Sequence, residues 1–316
     1  MKKEDIRIVF MGTPEFSVTI LEGILEENYK VVGVITAPDR PAGRGQKIHE
    51  SALKVFSKAK GLNVLQPTNL KDETFLIDLR DLNANLQIVV AFRMLPIEVW
   101  QMPKLGTFNL HASLLPDYRG AAPINWAIIN GEKYSGVTTF FIDEKIDTGA
   151  IILQSKLTIE PSENAGSLHD KLMHLGSKLV IETIQQIEVG FVETHTQSMK
   201  DTKTANKLNK DNCKIDWDSS IESIYNKVRG LHPYPAAWGL LSNGNEQLNI
   251  KVYEVKKHYE EHDQQTGQLI NTKKSIKVAV NKGYIELINF KFPGKRQMDA
   301  TSFLNGFTFH ENARML

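Results

Sequence analysis

Cysteine is almost missing from this chain, with Cys213 the only one in 316 residues. A single thiol closes no internal disulfide, and no cysteine cluster exists to hold zinc. Apolar runs approaching the roughly 18 residues of a membrane-spanning helix are absent. The N-terminal stretch MKKEDIRIVFMG carries acids where a secretion signal turns apolar, and no cleavage site follows. Phosphate-binding glycine patterns are lacking as well. Gly12 ends an apolar run but has no later glycines at the dinucleotide spacing, and no Walker A sequence occurs. No Gly-x-Ser-x-Gly elbow occurs either. Neither internal repeats nor low-complexity tracts are present. These absences leave a cytoplasmic protein without structural metal as the expectation, one that holds neither a dinucleotide nor a triphosphate in the usual way.

The length favours about two domains. Hydrophobic content of 41% and charged content of 24% are ordinary for a globular chain. Net charge is only +1, but its distribution is uneven. From Asp201 onward there are 17 Lys/Arg against 13 Asp/Glu, while the first 200 residues hold 21 against 24. A mildly basic C-terminal part suits an anionic partner or is a solvated surface.

Ile6–Gly12 is a short apolar run ending in glycine, a buried strand in form. Pro14 then opens an amphipathic helix with Phe16, Ile20 and Ile24 near one face. The same alternation continues through YKVVGVITA, ESALKVFSKAKG, LNVLQP, DETFLIDLRDLN, LQIVVAF, GTFNLHAS, AAPINWAIING, GVTTFFID and GAIILQSKLTIE to a long helix over AGSLHDKLMHLGSKLVIETIQQI. Apolar strands alternating with helices predict an α/β fold with a mostly parallel sheet. After about Gly190 a polar stretch without periodicity reads as a linker. A short helix, the Pro-rich HPYPAAW and several β-patterned segments follow, parted by SNGN, TGQ, NKG and FPGK turns. That pattern predicts a small all-β barrel or sandwich.

The chemistry concentrates in three stretches. In TFNLHAS, alternation puts Asn109 and His111 on one side and Phe108 and Leu110 on the other. In an open α/β sheet, ligands bind outside the carboxyl ends of the strands. An amide there can donate to a developing oxyanion, and a histidine can move protons near neutrality. The alternative is two satisfied polar residues closing a strand. The second stretch, FFIDEKIDTGAII, places Asp147 in a loop after an apolar strand; it orients the histidine, accepts a proton, or caps the Thr-Gly turn. Asp143 and Glu144 compete with it, and spacing does not choose among the three. The third, SLLPDYRG, bends at Pro116 and Gly120 and offers peptide groups to a flat polar heterocycle.

Taken together, FMGTPEFS, APDRPAGRGQK, NLHASLLPDYRGAAPINWAI, VTTFFIDEKIDTGAII and the late LHPYPAAW resemble the methionyl-tRNA formyltransferase family, in its order and spacing and over essentially the whole chain. The N-x-H, SLLP and D-x-G core alone is shared across the formyltransferase superfamily. The DRPAGRG loop and the C-terminal β-domain separate this family from the purine-pathway enzyme.

The resemblance implies a Rossmann-like, mostly parallel sheet with helices on both faces, followed by a smaller OB-like β-barrel domain. The implied boundaries are a catalytic domain at 1–190, a linker at 191–210 and a tRNA-binding domain at 211–316. It implies formyl transfer from 10-formyltetrahydrofolate to the amino group of methionine on initiator tRNA, without a metal. Asn109, His111 and Asp147 would be the catalytic trio, and Ser113, Leu114, Leu115 and Pro116 would line the folate site. Arg40, Arg44 and Lys47 would meet the tRNA. Lys251, Lys256, Lys257, Lys291, Lys295 and Arg296 are further candidates for phosphate contact. HPYPAAW reads as a hinge and packing element in preference to an RNA contact, and Trp126 and Trp217 as packing residues in preference to base-stacking platforms. The implied partners are initiator methionyl-tRNA and the folate donor, with the protein a monomer and no membrane involved.

Overall fold

Strand β1 (Arg7–Gly12) is buried along nearly its whole length and passes into α1 (Glu15–Glu26), whose buried face is Phe16, Ile20, Leu21 and Ile24. β2 (Lys30–Ile35) follows, then a small hairpin of β3 (Arg40–Ala42) and β4 (Lys47–His49). Next come α2 (Ala52–Ala59), β5 (Val64–Leu65), α3 (Glu73–Asp81), β6 (Leu86–Val90), α4 (Ile97–Trp100) and β7 (Thr107–His111). Ser51 and Asp72 cap the starts of α2 and α3 by accepting backbone N–H bonds from Lys54 and Phe75. After β8 (Arg119–Gly120) and α5 (Pro123–Ile129) come β9 (Tyr134–Phe141), β10 (Ile151–Thr158), α6 (Ala165–Val189) and β11 (Thr204–Ala205). The computed structural model describes residues 1–42, 47–198 and 202–316.

Contacts divide the chain into two units. One comprises Met1–Gly120, Ser135–Leu157 and His169–Thr204; the other comprises Ala121–Tyr134, Thr158–Leu168 and Ala205–Leu316. The first is built on a seven-stranded sheet in the order β10-β9-β7-β6-β1-β2-β5. β1, β2, β5, β6 and β7 are parallel, so their carboxyl ends share one edge. β9 runs antiparallel to β7. Val9, Met11, Ile35 and Val89 form one face of the core with Phe75 and Leu79 of α3 and Val99 of α4. On the other face Leu110 packs against Gly176 of α6, where an added Cβ would lie 2.8 Å from the leucine. The alternating pattern therefore gives the expected α/β layers.

Gly12 has a packing role. A Cβ there would lie 2.5 Å from Ser17 Oγ and 2.9 Å from the Val90 carbonyl, and the Ser17 hydroxyl donates to that carbonyl at 2.8 Å. The glycine lets the start of α1 close onto the end of β6.

The second unit completes the chain with α7 (Ile221–Leu231), β12 (Ala237–Asn243), β13 (Glu246–Tyr259), β14 (Leu269–Asn271), β15 (Ile276–Val280), β16 (Gly283–Lys291), β17 (Met298–Asp299), α8 (Ala300–Leu304) and β18 (Arg314–Met315). Its sheet runs β14-β15-β16-β13-β12-β18. The two ends meet: Leu269 N donates to Ala313 O at 3.1 Å, and Met315 N to Gly267 O at 2.7 Å. This makes a nearly closed antiparallel barrel and removes most of the free strand edge. Its core includes Trp217, Val252, Val278, Ile285 and Phe290. The predicted turns are present, with Gly244, Gly267 and Gly294 at positive φ. α5 lies against α7, where Asn125 Nδ2 donates to Gly230 O at 2.8 Å.

No helix among the described residues is long and apolar enough to cross a membrane.

Candidate functional site

β7 carries the amide and the imidazole. In the ladder Asn109 lies between Val89 of β6 and Phe140 of β9, and His111 lies beside Thr138. Cross-strand neighbours share a face, so Asn109 occupies the position in its row where the apolar core gives out. It is half-buried, and its side chain makes no hydrogen bond among the described residues. His111 is buried, and its Nε2 lies 2.8 Å from the Tyr118 carbonyl. A carbonyl only accepts, so Nε2 carries the proton and Nδ1 is the ring nitrogen left for chemistry. Tyr118 is held at φ 62°, the left-handed region that costs a bulky residue about 1–3 kcal/mol. Its N–H donates to Lys203 O at 2.6 Å, which helps hold its carbonyl against the imidazole.

Asp147 reaches this point by an indirect route. Because β9 is antiparallel, Phe141 pairs with Phe108, at the far end of β7 from His111. The loop leaving β9 then runs back. Asp143 is used at its start, accepting from Lys145 N at 3.0 Å and from the Thr148 hydroxyl at 2.8 Å. Glu144 is exposed. Asp147, at φ 55°, brings Oδ2 to 3.7 Å from His111 Nδ1 while accepting from Gly120 N at 2.9 Å. An aspartate tolerates this conformation better than most residues. The 3.7 Å gap is too long for a direct hydrogen bond. It leaves both groups able to contact a third one.

The Asp147 backbone is also fixed. Its carbonyl accepts from Arg119 Nε at 3.0 Å and from Gln197 Nε2 at 3.1 Å. Gln197 donates to Gly149 O at 2.8 Å as well, and its own Oε1 accepts from Arg119 Nη2 at 2.6 Å. Gln197 belongs to the polar stretch that reads as a linker. Nothing in its aperiodic surroundings marks it, and only the fold brings it to the Asp147 loop.

The SLLP bend sits over β9 on this same face. Ser113 is buried, and its hydroxyl donates to Asp117 O at 2.7 Å. Thr138 Oγ1 donates to Ser113 O at 2.7 Å and accepts from Leu115 N at 3.1 Å. Gln154 Nε2 donates to Leu115 O at 2.8 Å. Leu115 itself is buried with Phe140 and Ile151. Ser113 and Leu115 thus anchor the bend, and Leu114 and Pro116 are its half-exposed side chains. Sequence reasoning also passed over the segment leaving β6. Ala91 has φ 50°, Phe92 is half-buried and Met94 is exposed, beside the end of β7.

Arg40 is exposed on β3. Lys47, on β4, pairs through its backbone with Ala42 of β3, and Arg44 lies outside the described residues. The base of this hairpin is pinned by charge. Lys54 is buried and pairs with Asp39 and, at 2.9 Å, with Glu50. Hydrogen bonds from Gln66 and then Lys54 hold Asp39 below the usual carboxylate range. Those same carboxylates raise Lys54. Among the described residues no group of His, Cys, Asp and Glu is arranged to hold a metal ion.

The layers and strand order define a doubly wound α/β protein with an antiparallel barrel attached. Residues 6–184 match the formyl transferase family and residues 207–308 the formyl transferase C-terminal domain. The chain belongs to that family of one-carbon transferases. It is 62% identical to the methionyl-tRNA formyltransferase of Flavobacterium johnsoniae, with 99% of each chain covered. It is 49% identical to the methionyl-tRNA formyltransferase of Bacteroides thetaiotaomicron over 100% of both chains. Among solved structures, the sugar 3N-formyl transferase WlaRD, determined in the presence of dTDP and 5-N-formyl-THF, shares the fold. It is 21% identical with a TM-score of 0.65, covering 92% of this chain and 99% of that one.

Proposed function

We propose that this protein transfers the formyl group of 10-formyltetrahydrofolate to the amino group of methionine esterified to initiator tRNA, giving formylmethionyl-tRNA for translation initiation. The observation that carries the reading is the meeting of Asn109, His111 and Asp147 on one face at β7. Asp147 is 36 positions from His111 in sequence, and its carboxylate faces the imidazole across 3.7 Å. Identity of 62% over nearly the full length of a relative bearing that name supports the choice of substrates.

The chemistry follows from the donors and acceptors present. An α-amino group titrates at about 8, so the nucleophile needs only modest help to become neutral. As its nitrogen bonds to the formyl carbon, negative charge grows on the formyl oxygen, and the unpartnered Asn109 amide donates there. The proton released from the amine passes to the pair formed by His111 Nδ1 and Asp147, and one returns to the departing folate nitrogen as its bond to carbon breaks. Tyr118 O keeps Nε2 out of this exchange. No enzyme nucleophile is needed, so no formyl-enzyme accumulates. The SLLP bend, Ser113 to Pro116, lies along the folate site in this reading.

Arg40, Arg44 and Lys47 of the DRPAGRGQK segment and the barrel contact the tRNA, with the protein acting as a monomer in the cytoplasm. Affinity for charged tRNA is then expected to fall steeply with added salt, while affinity for the folate stays nearly constant. Binding titrations from about 50 to 200 mM salt check this, and a flat tRNA response removes the electrostatic account. The function itself is tested by incubating the protein with labelled formyl donor and methionine-charged initiator tRNA, with charged elongator tRNA as control. Transfer to a sugar-nucleotide amine in place of the tRNA would overturn it.

A further inference from the structure

We propose that Gln197 is a positioning residue for formyl transfer: its carboxamide holds the Asp147 loop so that the carboxylate faces the imidazole of His111. This rests on the reading of His111 and Asp147 as the pair that handles the proton, and adds what keeps the pair together. The polar segment that carries Gln197 docks beside the start of β10 through its backbone. His195 and Ile151 exchange both of their N–H···O bonds, each at 2.9 Å. Gln197 lies two residues after the bridge on one segment, and Gly149 lies two residues before it on the other. Antiparallel pairing sets such positions opposite each other, which brings the side chain to the turn that follows Asp147. Thr196 and Ser198 on either side are exposed, while Gln197 is only 6% exposed.

A carboxamide carries two N–H donors and an oxygen with two lone pairs. Here each of them is used. Nε2 donates to Asp147 O at 3.1 Å and to Gly149 O at 2.8 Å, and Oε1 accepts from Arg119 Nε at 3.1 Å and Arg119 Nη2 at 2.6 Å. No other side chain of this length fits that set. Glutamate keeps the bond to Arg119 but turns a carboxylate toward two carbonyl oxygens, and methionine fills the space with neither donor nor acceptor. The hold matters because Asp147 stands at φ 55°, a backbone conformation that persists only where its surroundings impose it. Arg119 also donates to Asp147 O, at 3.0 Å, and the next residue, Gly120, donates its N–H to the Asp147 carboxylate at 2.9 Å. Gln197 thus ties the backbone of Asp147, and through Arg119 the donor on its carboxylate, to one buried amide. A displacement of about 1 Å at a reacting group costs on the order of 10²-fold in rate.

The test uses the full chain with Gln197→Met, Gln197→Glu, Asp147→Ala and the double variant Asp147→Ala/Gln197→Met, with Thr196→Ala as the exposed control. Both Gln197 variants are expected to lower kcat on the order of 10²-fold. KM for methionyl-tRNA and for the folate stays within about threefold, and the control within about twofold of wild type throughout. In the Asp147→Ala background, Gln197→Met is expected to change kcat by less than about twofold, because a residue that acts through Asp147 has nothing left to position. An amide that only stabilises the fold gives additive losses instead, and additivity overturns the proposal. Wild-type kcat in Gln197→Met, or failure of both Gln197 variants to fold, overturns it as well. Should the wild-type chain formylate some other amine and not methionyl-tRNA, the functional reading fails separately, and the same cycle run on that amine decides the role of Gln197. Crystal structures of the variants decide it without any acceptor. The Asp147 carboxylate is expected to leave His111 Nδ1 in both, and a separation still at 3.7 Å overturns the proposal.

Discussion

Replacing His111 or Asn109 with alanine is expected to lower formyl transfer by about 10²–10⁴-fold, with the folded state intact. The two losses have different origins. His111→Ala removes the one ring nitrogen that faces Asp147, since the other is committed to the Tyr118 carbonyl at 2.8 Å. Asn109→Ala removes an amide with no protein partner among the described residues, so no intramolecular bond is lost. In the proposed mechanism its contribution arises only as charge develops on the substrate. kcat and kcat/KM are therefore expected to fall together, the signature of an interaction made in the transition state. Steady-state kinetics on purified variants with matched melting curves checks both. Near-normal turnover in the two variants rejects the assignment.

Gly149→Ala is expected to destabilise the first unit by about 3 kcal/mol and to abolish most activity. A Cβ at this position would lie 1.7 Å from the Phe141 carbonyl oxygen. That atom is backbone in the ladder, so no rotamer change relieves the overlap and the strand or the loop has to move. The loop that moves is the one that carries Asp147 two residues earlier, which is why activity falls further than stability alone requires. At about 2–4 °C per kcal/mol, a drop in melting temperature near 10 °C is expected. Gly306→Ala, with nothing within 4 Å of the new Cβ, is the control and stays within about 0.5 kcal/mol of wild type. A Gly149→Ala protein that melts and turns over like the control contradicts this geometry.

Most of the fold was legible because burial writes itself into the order of residues. The apolar run of β1, the spacing of Phe16, Ile20 and Ile24 on α1, and the turn glycines of the barrel each follow from local geometry. Asn109 and His111 could be paired for the same reason, since residues two apart on a strand share a face. The choice among Asp143, Glu144 and Asp147 was not legible. It depends on β9 running antiparallel to β7 and on the loop folding back. The capping hydrogen bonds of Asp143 then take it out of play. Gln197 was invisible for a plainer reason: its stretch has no periodicity, and its hydrogen bonds to the Asp147 loop span about 50 residues.

By itself the sequence determined the layers, the two-part construction and the strand that presents an amide and an imidazole together, because each of these is a matter of short-range periodicity. Tertiary structure alone decided which carboxylate meets the imidazole and which ring nitrogen is left open. Those outcomes depend on strand direction and register between segments distant in the chain, and the energy that fixes register comes from packing across strands that the order of residues does not reveal.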